Sequence, residues 1–165
     1  MEPDWLTPEE LRSWIAFMGV FIKLPYRLDV DLKRRADLNF VEYLVLSALS
    51  VAPKRELPMN RLATVANCSL SRLSHVVSRL EKREWVRRFP SPCDGRLTIA
   101  ALTDDGHELL KQTAPGHVET VRSLVYENLT PAQVNQFKAI CDEINKQVDP
   151  GGTWPPRAQP GRQCQ

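Results

Sequence analysis

The sequence lacks the features that mark a metalloprotein, a membrane protein or most enzymes. Its four cysteines form no Cys-x-x-Cys pair, and no set of Cys and His residues has the spacing of a zinc site. No apolar run approaches the roughly 20 residues that cross a bilayer. The sequence also has no nucleophile–base set and no phosphate-binding loop. We therefore expect a protein that is not an enzyme and holds neither a metal nor a cofactor.

The bulk composition is that of an ordinary soluble domain. Its 165 residues suggest one compact unit with extensions, and 42% of them are hydrophobic and 25% are charged. The N-terminus is polar and acidic and has no cleavable apolar stretch. We expect a cytoplasmic protein without a membrane partner.

The net charge of +2 is small, but it is distributed unevenly along the chain. Between Lys54 and Arg96 there are ten Lys and Arg residues against four Asp and Glu, which gives a local charge of +6. The remainder carries twelve against sixteen, a charge of −4. A basic segment inside a slightly acidic body favours a surface that faces a polyanion, although a solvated, Arg-rich surface is the alternative.

The centre of this basic segment predicts an amphipathic helix followed by a hairpin. Five apolar residues recur at three- and four-residue spacings and share one helix face: Leu70, Leu73, Val76, Val77 and Leu80. The opposite face carries Arg72, His75, Arg79 and Lys82. Ser69 is placed to cap the helix, and Asp94-Gly95 between two strand-like runs is a hairpin signal. A basic helix and a basic hairpin tip suit the major and minor grooves of duplex DNA.

The candidate DNA-binding residues lie on this helix and at the hairpin tip. Arg72 and Arg79 are expected to contact guanine edges or phosphates, with His75 between them. Three serine hydroxyls near the helix start suit phosphate oxygens, although capping alone explains the first of them. Arg96 is expected to enter the minor groove beside Asp94, unless the two form a purely structural pair. The full predicted set is Ser69, Ser71, Arg72, Ser74, His75, Arg79, Asp94 and Arg96.

Three helices are predicted before this segment. The first begins at a Thr7-Pro8 cap and is expected to kink or restart at Pro25, which removes a backbone donor. The second spans Phe40 to Val51. A short third helix, Asn60 to Ala66, and the basic helix after it form a helix-turn-helix, to which the hairpin adds a wing.

Two more helices are predicted after the hairpin. The fifth is capped by Thr103 and is expected to kink or break near Pro115-Gly116. The sixth starts at Thr130 and ends near Val148. The rest of the chain is rich in Pro, Gly and Gln and is expected to be flexible.

The hairpin carries the most specific motif of the chain. Asp94-Gly95-Arg96 is followed by Leu102-Thr103-Asp104-Asp105-Gly106, which resembles the D-x-R…L-T-x-x-G pattern of the MarR family of winged-helix transcriptional regulators. The basic helix, with Ser71-Arg72-Leu73-Ser74, resembles the recognition helix of that family, and the N-terminal Trp-Leu-Thr-Pro-Glu-Glu is similar to an actinobacterial branch. One departure is Glu84-Trp85, where the family usually has Gly-Leu. Glycine there ends the helix in a left-handed conformation at little cost.

The resemblance implies a homodimer built by the first, fifth and sixth helices. Each winged module would read one half-site of a pseudo-palindromic operator in double-stranded DNA. It also implies a sequence-specific transcriptional regulator, in the form of a repressor whose DNA affinity falls when a small aromatic, phenolic or anionic ligand binds. The chain then divides into an N-terminal dimerisation helix (1–36), a winged helix-turn-helix module (37–103), C-terminal dimerisation helices (104–148) and a flexible tail (149–165).

The ligand and the regulatory signal are open at this point. Candidates for an effector pocket between the dimer helices and the winged module are Trp14, Phe17, Phe21, Tyr43 and His117. An aromatic stripe at helical spacing can equally be core. One alternative is a redox-responsive regulator that acts through Cys93 or Cys68. The other is a winged helix that binds protein, against which the basic recognition face argues.

Overall fold

A computed structural model of the protein describes residues 4–152. Within that range lie six α-helices and three short β-strands: α1 Pro8–Ala36, α2 Phe40–Val51, β1 Glu56–Pro58, α3 Met59–Val65, α4 Leu70–Lys82, β2 Val86–Pro90, β3 Thr98–Leu102, α5 Asp104–Val121 and α6 Pro131–Val148. The predicted mostly α fold with a small β-wing is confirmed. The predicted flexible tail falls largely on residues 153–165, which lie outside the described range.

The helices begin where the capping residues predict. Thr7 accepts a hydrogen bond from the Glu10 N–H (3.3 Å), and the Glu10 carboxylate accepts one from the Thr7 N–H (2.7 Å). The same reciprocal box opens α2 at Asn39 and α6 at Thr130. Because each box satisfies two otherwise unpaired donors, these starts are fixed by local sequence alone.

The prolines inside helices do not interrupt them, so the restart expected at Pro25 and the break expected near Pro115 are wrong. Pro25 lies within the continuous α1, and Pro115 lies within the continuous α5. Both prolines are exposed, so water can reach the carbonyl that loses its N–H partner. The irregularity comes later, in a π-helical turn at Arg122–Tyr126, where the Glu127 N–H donates to the carbonyl of Arg122 (2.9 Å).

The predicted hairpin is present, and a third strand joins it. β2 and β3 pair antiparallel with Val86 opposite Leu102. β1, which the sequence did not predict, pairs with the other edge of β3 and places Leu57 opposite Ala100. We call β2, β3 and the turn between them the wing.

The hydrophobic core lies in the winged module, residues 37–103, and in the adjoining parts of α1 and α5. The largest fully buried side chains are Leu32, Leu38, Val45, Leu46, Leu49, Leu62, Leu73, Val77 and Leu80. One predicted member of the inward row of α4 is missing, because Leu70 is 54% exposed. The core therefore begins one turn later along α4 than the spacing predicts.

The junction of α4, the wing and α5 depends on two unusual backbone positions. Glu84 adopts a left-handed φ of 62°, and the Trp85 N–H closes the helix end on the Leu80 carbonyl (3.1 Å). Glu84 thus adopts the left-handed conformation at a position where the family that this sequence resembles usually has glycine. A Cβ on Gly106 would lie 2.2 Å from the Trp85 carbonyl oxygen, so only glycine fits this turn of α5.

The two ends of the helical framework bury far less than the winged module. We call residues 8–27 of α1 and residues 131–148 of α6 the arms. No arm residue is buried, and apolar side chains such as Phe21 (61% exposed) and Ile140 (58% exposed) face outward. Among the described residues, no helix combines the length and apolarity that crossing a membrane requires.

Candidate nucleic-acid interface

The exposed face of α4 carries the predicted recognition residues. Ser69 caps the helix by accepting from the Arg72 N–H (3.2 Å), while Leu73, Val76, Val77 and Leu80 anchor the opposite face in the core. Ser71, Arg72 and His75 are exposed as a result. The amphipathic pattern therefore fixes both the packing of α4 and the direction of its polar side chains.

Two surface grooves flank α4. The larger, of about 560 Å³, lies between α4 and the junction of α1 with α2, and its walls include Ser69, Ser71, Arg72, His75 and Arg79. The smaller, of about 230 Å³, lies between α4 and the wing and includes Ser74 and Arg96. Seven of the eight predicted residues thus line the two grooves beside α4, and the eighth, Asp94, lies at the wing tip.

Arg79 is tied to the start of α2. Its Nε donates to the buried Glu42 carboxylate (2.8 Å), and the other oxygen of Glu42 accepts from the Asn39 N–H (2.9 Å). From α1, the Asp29 carboxylate accepts from the Phe40 N–H (2.8 Å). A hydrogen-bonded chain therefore connects α1 to the recognition helix through the first turn of α2, and Arg79 is held rather than free to swing.

Ser74 is held in a similar way on the wing side of α4. Arg88 donates to Ser74 (3.1 Å), to Ser78 (2.9 Å) and to Glu81 (2.8 Å). These bonds clamp β2 to α4. Ser74 and Arg88 consequently set the distance between the helix and the wing.

At the wing tip, Asp94 acts on the backbone and not on a guanidinium. Its carboxylate accepts from the Arg96 N–H (3.0 Å), and its carbonyl accepts from the Leu97 N–H (2.9 Å). The alternative, a structural Asp–Arg side-chain pair, is thus not found among the described residues, and the turn leaves the Arg96 guanidinium exposed. Within residues 4–152, neither Arg96 nor Arg72 has a carboxylate partner, whereas Arg55, Arg79, Arg83 and Arg88 all have one.

A capped, basic-faced helix beside a three-stranded sheet whose outer hairpin forms the wing has parallels among known proteins. A profile of the MarR family matches residues 36–97. The crystal structure of Sco3205, a MarR family transcriptional regulator from Streptomyces coelicolor in complex with DNA, is 43% identical to this chain. The match covers 90% of this chain and 93% of that one, with a TM-score of 0.85. The chain belongs to the MarR family.

Two further relatives support the assignment. AbsC, a MarR family transcriptional regulator from Streptomyces coelicolor, is 32% identical, with 88% of this chain and 98% of that one covered and a TM-score of 0.82. YxaD of Bacillus subtilis strain 168, an uncharacterized HTH-type transcriptional regulator, is 30% identical over 78% of this chain and 88% of its own length. The chain is therefore a MarR-family transcriptional regulator and not an enzyme, and the two Streptomyces proteins agree with the actinobacterial resemblance.

Sequence reasoning missed several residues that lie beside the predicted DNA-binding residues. Glu42 carried no signal, since its partner Arg79 is 37 positions away. Asn60 lines the smaller groove from the start of α3, and its carboxamide caps the Arg61 N–H (2.8 Å). Leu70 was assigned to the core, and the only available hint to the contrary was its place at the very first position of the helix.

The five candidates for an effector pocket separate into two groups. The rings of Trp14 and Phe17 are 5.9 Å apart and those of Phe17 and Phe21 are 6.1 Å apart, all on the exposed arm of α1. The rings of Tyr43 and His117 are in contact, with their centroids 4.3 Å apart and their planes tilted by 44°. They lie near Asp31, which is ten residues or about 15 Å further along α1 than Phe21. The two groups are therefore separated along α1 within one chain.

The pKa values of three neighbouring residues, His117, Tyr43 and Asp31, are shifted from their usual values. Burial lowers the pKa of His117, against the opposing charge of Asp31, and burial raises the pKa of Tyr43. Burial also tends to raise the pKa of Asp31, but hydrogen bonds from Thr120, Arg35 and Arg34 outweigh it and keep that pKa below its usual value. Within the described residues, the buried Nδ1 of His117 has no hydrogen-bond partner.

The cysteines bear on the redox alternative. Cys68, which packs beside the core, and Cys141, in α6, are free thiols. Cys93 lies exposed at the wing tip, where its N–H donates to the Ser91 hydroxyl (3.3 Å).

Proposed function

We propose that the protein is a dimeric, sequence-specific DNA-binding repressor. Its recognition helix α4 would enter the major groove and the wing tip the adjacent minor groove. The observation that carries this proposal is the position of two exposed arginines, one on α4 and one at the wing tip. Arg72 and Arg96, on two different elements, are exposed without a carboxylate partner among the described residues. Arg72 lines the larger groove beside α4 and Arg96 the smaller, and unpaired charges on a helix face and a wing tip suit phosphate and base contacts.

The remaining predicted residues support the same placement. The Ser69 and Ser71 hydroxyls are exposed at the helix start, where backbone N–H groups favour phosphate. Arg79 and Ser74 would act mainly by position, since Glu42 and Arg88 hold them. His75 points from the exposed face between them. Asp94 would contribute indirectly, because it shapes the turn that presents Arg96.

The experiment that tests DNA binding is fluorescence anisotropy on the DNA upstream of the protein's own gene. A scrambled duplex and roughly physiological salt are essential, because charge alone binds any DNA at low salt. Arg72→Ala and Arg96→Ala should each weaken specific binding about tenfold. Arg87→Ala is the matched control, since Arg87 is an exposed arginine of the same segment that stacks on Phe89 and alternates to the sheet face opposite Arg88. Equal, weak binding to both duplexes would point instead to a distant operator or a protein-binding module, which genome-wide capture of bound DNA would separate.

We propose a dimer because the apolar side chains of the arms are exposed to solvent in a single chain. Helix α6 is capped at its start and amphipathic, yet it buries no residue in its own chain, and exposed apolar patches of this kind are typical of interfaces. We place dimerisation in residues 1–36 and 104–148 and DNA binding in residues 37–103. Light scattering after size exclusion should give twice the mass of one 18.8 kDa chain.

Regulation by a small aromatic or anionic ligand is the last part of the proposal. In a dimer, the exposed rings of α1 can approach the Tyr43–His117 pair of the partner or of the same chain, which would complete a pocket that one chain lacks. Ligand binding would then favour a dimer whose two α4 helices no longer match successive grooves. Displacement of labelled operator by a panel of phenolic carboxylates, with His117→Phe as the comparison, tests this step.

A further inference from the structure

Leu70 has an apolar side chain that does not pack into the hydrophobic core. It is 54% exposed, although the residues that continue its row along α4, Leu73 and Val77, are fully buried. It is the first residue of the helix, next to Ser71 and Arg72. The exposed face of α4 is otherwise polar. A single exposed leucine at its start is therefore suited to contact a small apolar group of a binding partner.

A second exposed leucine faces the same space. Leu97, at the base of the wing tip, is 38% exposed, and its backbone is fixed by hydrogen bonds to Asp94 and from Ser91. Leu70 and Leu97 both line the 230 Å³ groove between α4 and the wing, together with the buried Met59. The groove therefore has an apolar strip, and Arg96 stands at its edge.

The charges around this strip indicate what fills it. Arg72 lies two residues beyond Leu70 and Arg96 lies next to Leu97, and neither pairs with a carboxylate in the described part of the chain. A partner that covers the strip should therefore place a small apolar group against the two leucines and negative charges near the two arginines. In the major groove of DNA, the only apolar group on a base edge is the C5-methyl of thymine.

We propose that Leu70 is a specificity-determining residue that packs against the C5-methyl of a thymine, with Leu97 covering Leu70 on its wing side. The inference rests on the proposed DNA-binding function and adds a base preference to it. The first turn of a recognition helix is the part that reaches base edges, which is where Leu70 lies. The polar residues beside it would hold the backbone and leave Leu70 to discriminate among bases.

The test uses an operator selected from a random duplex library by the full-length protein. Each thymine of a half-site is then replaced by deoxyuridine, which removes the methyl group and keeps the Watson–Crick edge. At one position, replacement of thymine by deoxyuridine should weaken binding about fourfold, as the loss of one buried methyl group implies. The same replacement in both half-sites should weaken binding about 15-fold. Leu70→Ala should bind the thymine and deoxyuridine operators equally.

Two controls make the result specific. Val51→Ala truncates another exposed apolar residue that lines neither groove, and this variant should keep the full thymine preference. Thermal unfolding of Leu70→Ala should match the parent, because more than half of that side chain is already exposed.

Other outcomes overturn the inference in distinguishable ways. Equal binding of thymine and deoxyuridine operators by the parent protein would overturn it while the DNA-binding function stands. A thymine preference that survives in Leu70→Ala would assign the methyl contact to another residue and would also overturn it. Failure to select any operator over random duplex would overturn the proposed function itself.

Discussion

The winged module and the arms differ sharply in how they use similar apolar content. Eight of the nine largest fully buried side chains lie in residues 37–103, and the ninth, Leu32, packs on them from α1. The arms bury none, although they carry Trp14, Phe21 and Ile140. Amphipathic sequence alone therefore does not decide whether a helix is buried; the presence of a matching surface in the same chain does.

This difference has a thermodynamic consequence. The winged module gains its stability from contacts within one chain, so its unfolding should not depend on protein concentration. The arms can gain theirs only from a second copy or another partner, so their order should follow mass action.

The largest effect is expected inside the winged module's junction with α5. Gly106→Ala places a Cβ 2.2 Å from the Trp85 carbonyl oxygen and 2.9 Å from a Leu102 methyl group. Because the nearest obstacle is backbone, the first turn of α5 must shift, and we expect a loss of about 3 kcal/mol or more in the free energy of unfolding. Urea denaturation followed by circular dichroism measures it.

The control for Gly106 is another glycine of the wing motif. Gly95→Ala should leave the free energy of unfolding nearly unchanged, since a Cβ there meets nothing within 4 Å. Equal stability of the two alanine variants would show that the α4–wing–α5 junction is less rigid than its packing indicates.

Local signals explain why most of the fold was predictable. The caps at Thr7, Ser69 and Thr103 and the turn at Asp94 act within three residues of themselves, and helical periodicity supplied the remainder. β1 was missed because it has only three residues and ends in Pro58, and its pairing with β3 bridges more than 40 positions of sequence. Short strands of this kind are decided by tertiary contacts rather than by their own composition.

The second prediction addresses the arms. Ile140→Glu places a charge on the apolar stripe of α6, where Ile140 is 58% exposed in one chain. Burying that charge against a second copy should weaken the dimer by about 2 kcal/mol or more, roughly 30-fold in its dissociation constant. Sedimentation equilibrium measures the constant, and the circular dichroism of the winged module should persist.

The matched control adds the same charge elsewhere on α6. Asn145 lies five residues on, about 140° around the helix from Ile140, and is exposed. Asn145→Glu should leave the dimer intact. Equal dissociation by both variants would mean that α6 responds to charge in general and has no defined contact face.

The interface was less predictable than the fold, because sequence shows charges but not their partners. The pattern identified Arg72, Arg79 and Arg96 alike as DNA contacts, yet Arg79 is bonded to Glu42 across 37 residues. Leu70 followed the periodicity of the core but lies one turn beyond the surface that covers the rest of its row. Both outcomes depend on distances between elements, which no single stretch of sequence encodes.

The third prediction is a modest stabilisation at the end of α4. Glu84 has a φ of 62°, which costs a residue with a Cβ about 1 kcal/mol relative to glycine. Glu84→Gly should therefore raise the free energy of unfolding by about 1 kcal/mol, less the entropy that glycine adds to the unfolded chain. Glu84→Ala, which keeps the Cβ, should show no such gain in parallel urea titrations.

The smallest effect concerns pH and the region where the winged module meets α1 and α5. Burial lowers the pKa of His117 below its unfolded value of 6.5, so in the window just below pH 6.5 the unfolded chain binds more protons than the folded one. The free energy of unfolding should therefore fall as the pH drops through that window. The Asp31 carboxylate partly offsets the loss, since its charge favours the protonated ring.

His117→Phe separates this contribution from the rest of the molecule, because it keeps a ring against Tyr43 and removes the titration. The variant should lose less stability than the parent between about pH 7 and pH 5.5. Asp31, whose own pKa lies below 3.8, would lose its favourable contribution only at still lower pH and so does not confuse the comparison. Parallel pH dependence of parent and variant would mean that the ring is hydrated in the folded state, and that the contact between α2 and α5 is looser than the rest of the core.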